Sequence, residues 1–152
     1  MKSIIFSAAT CLLALTLVGP ARAENPQHLQ QLLETNMCQG CDLSGADLEG
    51  THLIGADLRD ANLTNANLTQ ANLEGADLSK ANLENANLSQ TYLNSAALID
   101  ANLIGANLTD SNFSFSNLNG ANLTEATILN AEFLGADLTA AELPADILVR
   151  NQ

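Results

Sequence analysis

The sequence predicts an all-β solenoid, a chain wound into coils, and three observations predict it. First, Cys41 to Ala145 divides into 21 five-residue units without insertion or deletion. With positions written i−2 to i+2, the central residue is Leu in 18 units and Phe113, Ile128 or Phe133 in the rest. Position i−2 is Ala in 16 units and otherwise Cys41, Thr51, Thr91, Ser111 or Ser116. Second, a period of five suits neither regular element. On a helix, steps of about 100° scatter the leucines round every side, and on a continuous strand an odd repeat flips them between faces. Third, Gly45, Gly50, Gly55, Gly75, Gly105, Gly120 and Gly135 share position i+2 with Asn65, Asn85 and Asn130. These residues tolerate positive φ and mark a corner. A short extended piece, in-out-in over i−2, i−1 and i, followed by a corner at i+1 and i+2, winds the chain into a coil.

The elements follow in chain order. Residues 1–23 read as a cleaved secretory signal peptide: Lys2, an apolar run from Ile4 to Val18, and Ala21-Arg22-Ala23 as the cleavage site. The run is shorter than the roughly 20 residues of a membrane span, so no membrane contact is expected after cleavage. Cys11 lies inside this segment and lacks the context of a lipidated cysteine.

Residues 24–40 form a capping helix and junction. Asn25-Pro26 is a helix start, and Leu29, Leu32 and Leu33 give one apolar face, with His28, Gln27, Gln30 and Gln31 largely off it. So short a helix is marginal alone and must dock, the natural target being the open first coil, whose core and backbone edge need cover.

The Cys38-Gln39-Gly40-Cys41 motif between helix and array has three readings: a structural disulfide, a redox-active pair, or a zinc site. An oxidising compartment favours the disulfide, clipping the cap to the first coil. Two histidines, His28 and His52, without a second ligand pair fall short of a tetrahedral metal set. The repeats occupy 41–145. Pro144 interrupts the hydrogen-bonding pattern at i+1, and 146–152, with Ile147, Leu148 and Val149, form a C-terminal cap or tail that leaves the chain a monomer or a weak end-to-end dimer.

Units of the form A(D/N)LXX in unbroken phase resemble the pentapeptide-repeat family. That resemblance implies a right-handed quadrilateral β-helix, four units to a coil and about five coils, with Leu at i filling the axis and Ala at i−2 fitting its corners. The family is abundant in cyanobacteria, which implies a thylakoid-lumen or periplasmic protein of unassigned biochemical role.

Charge and geometry narrow the function. The formal net charge is −12, and removal of Lys2 and Arg22 leaves Arg59, Lys80 and Arg150 against 17 acids. Three basic residues cannot neutralise a phosphate backbone, so no nucleic-acid binding is expected. No catalytic constellation, cofactor motif or metal set stands out, and an axis filled by Leu and Ala leaves no concave pocket. The N-x-S/T triplets that match glycosylation sequons, such as Asn62-Leu63-Thr64, arise from the repeat itself.

Grouping units by fours collects an unusual share of the departures on one face, while Ile99, Ile104 and Leu129 sit outward on the other three. The units centred on Leu53, Leu73, Leu93, Phe113 and Phe133 carry His52, Ile54, Tyr92, Phe115 and Leu134 outward. These five form a candidate protein-interaction face, against the alternative of drift on a tolerant scaffold. The expectation is an exported, non-enzymatic structural or interaction rod with protein partners unknown. Two other readings are a redox or regulatory protein acting through Cys38 and Cys41 and, implied by the resemblance to acidic family members, a DNA-mimic inhibitor of a nucleic-acid enzyme.

Overall fold

The computed structural model describes residues 25–145. The expected signal peptide 1–23 and the expected C-terminal segment 146–152 lie outside the described residues. One helix, α1 (Pro26–Thr35), precedes the array. The Asn25 side chain accepts from the Gln27 N–H at 3.1 Å, Pro26 takes the first helical position, and Asn36 ends the helix at φ 56°.

Beyond the helix the β character resides in single parallel bridges at position i−1, each joining residues twenty apart, from Met37↔Asp57 to Asn122↔Glu142. Among the described residues no longer strand forms, because the corner at i+1 and i+2 interrupts every extended piece. An offset of twenty is four units, so each coil has four sides. At roughly 4.8 Å per coil the rod is about 25 Å long.

Four of the five N–H groups in a unit have backbone partners. The i N–H donates to the i−1 carbonyl one coil later (Leu63 to Asn82, 2.7 Å). The i+2 N–H donates to the i+1 carbonyl one coil later (Asn65 to Glu84, 3.0 Å). The i−1 N–H reaches back to the i−2 carbonyl one coil earlier (Asn82 to Ala61, 2.8 Å), and the i−2 N–H closes the corner (Ala66 to Leu63, 3.0 Å). The remaining N–H, at i+1, turns to the side chain at i−1, as Thr64 does to Asn62 Oδ1 at 3.2 Å. Pro144, lacking an N–H, forgoes that bond at i+1, and the regular turn is absent from its corner, but it removes none of the backbone ladder. Its unit stays in phase, with the Glu142 N–H bound to the Ala121 carbonyl at 2.9 Å.

The array begins one unit earlier than the repeat pattern suggests. Asn36 to Gly40 already follows the coil, with Met37 bridged to Asp57 and Cys38 buried in the place of the central Leu. Met and Cys disguise the motif in sequence. Cys38 and Cys41 form a disulfide, and both point inward, at i of one unit and i−2 of the next. The bond thus staples the first corner of the coil instead of clipping the helix to it.

The helix face also differs from the expectation. Leu32 is fully buried and Leu29 packs against the core, but Leu33 is 53% exposed. A short helix lying across one coil end inserts a single row of side chains, and Leu33 sits about 100° round from Leu32.

Candidate interaction face

A regular face of this rod is largely satisfied within itself. Asn or Asp at i−1 accepts the i+1 N–H, and Thr or Ser at i+1 adds its hydroxyl to the same oxygen, as Thr64 and Thr69 do at 2.6 Å. Asn Nδ2 groups then link coils: Asn62 to Asp42 at 3.1 Å, Asn67 to Asp47 at 3.2 Å, Asn102 to Asn82 at 3.0 Å. The polar surface that the sequence displays is in large part the fold's own hydrogen bonding. Its acids are held by the same contacts. The Ser44 hydroxyl and N–H keep the Asp42 carboxyl below the ordinary carboxylate range, and the Thr139 hydroxyl and N–H do so for Asp137. The Arg59 guanidinium lowers Asp57, to which it donates at 2.8 and 2.6 Å.

The face centred on Leu53, Leu73, Leu93, Phe113 and Phe133 breaks this pattern inside and out. Inside, Phe113 stacks on Phe133 with centroids 5.1 Å apart. Thr91 and Ser111 replace Ala at i−2, and being buried they must find acceptors: Thr91 Oγ1 donates to the Leu68 carbonyl at 2.7 Å and Ser111 Oγ to the Leu108 carbonyl. Outside, Tyr92 and His52 stand where Asn or Asp would serve as an acceptor. Tyr92 is 54% exposed, Phe115 66%, Leu134 72% and Ile54 54%.

The five predicted residues fall into two groups. His52 and Ile54 belong to the first coil, where the Ile54 carbonyl accepts from Asn36 Nδ2 at 3.4 Å. Asn72 and Glu74 of the second coil separate them from Tyr92. Towards the C-terminal end, Phe115 and Leu134 adjoin directly, the Phe115 N–H donating to the Leu134 carbonyl at 2.8 Å. Phe115 holds φ 61°, a costly conformation for a bulky residue, and its ring lies so close over Gly135 that a Cβ there would meet it at 2.8 Å. Tyr92 joins this group through its column, bridged to Asn112 and thence to Glu132. Leu129, 60% exposed, stands at the corner by which the chain enters the face, as Leu134 stands where it leaves. Sequence grouping by faces assigned Leu129 elsewhere, because a corner residue borders two faces.

Sequence reading also missed the polar half of the N-terminal cap. In the first coil the i−1 N–H groups have no earlier coil to reach. Met37 N–H donates to Thr35 Oγ1 at 3.1 Å and Asp42 N–H to His28 Nδ1 at 2.9 Å, while Gln31 Nε2 donates to the Met37 carbonyl at 2.7 Å. His28, Gln31, Leu32 and Thr35 lie on one stripe of α1, spaced three and four apart, which is the signal that could have found them. The Cys38 sulfur lies 3.3 Å from the His28 carbonyl; a disulfide sulfur carries no proton, so this is a packing contact. On the outer side of α1, Pro26, Leu29, Gln30, Leu33 and Glu34 line a groove of about 350 Å³. Among the described residues no group of three or more His, Cys, Asp or Glu side chains could hold a metal ion.

Four-sided coils, a Leu-filled axis and left-handed corners define a class of β-solenoid. The chain belongs to the pentapeptide repeat family, whose profile matches residues 41–79, 76–114 and 106–143. Membership implies the right-handed winding. Among solved structures, a pentapeptide repeat protein from the Arabidopsis thaliana thylakoid lumen is 32% identical, with 74% of each chain covered and a TM-score of 0.52. Rfr23, from the cyanobacterium Cyanothece 51142, is 30% identical over 77% of this chain and 97% of its own, with a TM-score of 0.43. A Nostoc pentapeptide repeat protein is 25% identical over 82% and 89%, with a TM-score of 0.46. No curated protein matches the chain.

Proposed function

We propose that the chain is an exported, non-enzymatic interaction rod of the thylakoid lumen or periplasm, a monomer or weak end-to-end dimer, binding protein partners through the face that carries His52, Ile54, Tyr92, Phe115 and Leu134. The observation that carries this reading is that Tyr92, Phe115 and Leu134 are more than half exposed on a backbone bonded coil to coil, with Tyr92 bridged to Asn112 and the Phe115 N–H bound to the Leu134 carbonyl. Rigid, exposed aromatic and aliphatic side chains are the usual anchors of protein interfaces. Compartment is supported by the amino-terminal sequence pattern and by likeness to the thylakoid-lumen protein of Arabidopsis. The disulfide serves structure, since Cys38 is fully buried and Cys41 nearly so. Affinity capture from the exported fraction, with wild type beside a Tyr92→Ser/Phe115→Ser variant, tests the reading. Selective loss of partners by the variant is expected, and equal recovery by both refutes the face.

A further inference from the structure

We infer that the C-terminal half of this face docks a cationic amphipathic helix of a protein partner, an inference that rests on the interaction reading above and adds the chemistry of what is bound.

Charge selects the partner's sign. Between Lys80 and Arg150 the sequence contains no basic residue, whereas Asp110, Glu132 and Asp137 lie on or beside the exposed group of Tyr92, Phe115, Leu129 and Leu134. An apolar patch whose charged neighbours are all carboxylates disfavours nucleic acid and anionic lipid surfaces and favours a basic segment with apolar residues of its own. The Asp137 carboxyl, held below the ordinary range by Thr139, stays ionised at neutral pH. Glu132 is exposed at the centre of the face, between the corners that carry Leu129 and Leu134.

Backbone geometry selects the partner's conformation. Along the flank of the rod the bridging residues of the inner coils are paired with the coils above and below, as Tyr92 is with Asn72 and Asn112, whereas Glu132 of the last described coil is bridged to Asn112 alone. Strand addition between the inner coils finds no free edge, so a partner lying along the flank engages through side chains. Tyr92, Phe115 and Leu134 belong to three successive coils, one per step of roughly 4.8 Å. A helix advances 5.4 Å per turn. Laid obliquely along the flank, because Tyr92 stands at i−1 and Phe115 and Leu134 at the corner, it presents apolar residues at i, i+4 and i+7 to these three in turn, while lysines or arginines on its flanks reach Asp110, Glu132 and Asp137.

The test uses the purified protein and a labelled Leu/Lys peptide of about five helical turns with one apolar stripe, read by fluorescence anisotropy. Controls are the same composition scrambled to abolish the stripe, a Leu/Glu counterpart, and vesicles of anionic phospholipid. Variants are Phe115→Asn/Leu134→Thr, which installs residues the array already uses at those positions, and Glu132→Gln. Circular dichroism confirms that both keep the fold. The expected result is binding of the Leu/Lys peptide, weakened about tenfold or more by scrambling or by the double variant, with a shallower salt dependence in Glu132→Gln and no binding of the Leu/Glu peptide. Equal binding of stripe and scramble overturns the inference, as does an unchanged double variant or vesicle binding that the double variant abolishes. Should affinity capture depend on Tyr92 and Phe115 while the Leu/Lys peptide fails to bind, the interaction rod stands and the cationic helix falls.

Discussion

The two ends of the rod close differently. At the N-terminal end Leu43, Leu48 and Leu53 are as buried as mid-array leucines, although no coil precedes them. At the other end Ile128, Phe133, Leu138 and Leu143 are only partly buried. The difference is α1, which brings two kinds of cover. Leu32 plugs the axis, and His28, Thr35 and Gln31 take over hydrogen bonds that a preceding coil would make. A solenoid end exposes both a hydrophobic section and a backbone edge, and a cap that served only the first would leave the second unmet.

Substitutions of decreasing effect can break or sharpen this contrast. Leu83→Ala, in the sealed middle, should cost roughly 2–5 kcal/mol, whereas Leu138→Ala should cost clearly less because its site is already part-open. Urea titration of the two side by side decides, and equal losses would mean that the last coil is as well covered as the middle. Overpacking gives a control at the same depth: Ala81→Leu should lower stability by about 1–3 kcal/mol or more, and an unchanged melting temperature would contradict the tight corner. At the cap, Leu32→Ala should remove roughly 2–4 kcal/mol and raise amide exchange first in the N–H groups of Met37 and Asp42.

Reducing the disulfide should cost about 2 kcal/mol, since the loop it closes is so short. The pair Cys38→Leu/Cys41→Ala, which restores the residues of other corners, should recover stability to within about 1 kcal/mol. Failure to recover would show that the first corner needs a covalent bond and not a filled volume. His28→Leu removes the acceptor for the Asp42 N–H and should cost on the order of 1 kcal/mol.

The smallest effect concerns acid. Asp42, Asp57 and Asp137 have folded-state pKa values depressed by Ser44, Arg59 and Thr139 respectively. Their contribution is complete above the unfolded value of about 4 and disappears as pH falls through the lower folded value. Thermal midpoints should therefore drop below about pH 4, and Asp42→Asn, which keeps the turn acceptor without titrating, should shrink that drop slightly. Removal of the half-exposed Arg59 guanidinium beside Asp57 should change stability only slightly, because solvent screens the pair.

Much of this structure was legible beforehand. Leu at i and Ala at i−2 announce inward positions, Gly or Asn at i+2 announces a left-handed corner, and Asn25-Pro26 announces the start of α1. Even the departures were partly readable: Gln70, Lys80, Gln90 and Phe115 adopt the same positive φ as the glycines, because the coil imposes it on whatever residue arrives. The first unit escaped notice because Met37 and Cys38 do not look like Asn and Leu. The roles of His28 and Gln31 escaped because they depend on where the helix lands.

By itself the sequence determined the features that each group of five residues settles locally: period, inward and outward sides, corners and cap start. Those follow from side-chain volume and φ preference, which need no distant partner. Tertiary structure alone decided what depends on contacts made across twenty residues or across the docked helix. These include the unit at Asn36–Gly40, the disulfide's place inside a corner, the imidazole that replaces a missing coil, and the meeting of Phe115 with Leu134. Such contacts exist only once the coils have stacked.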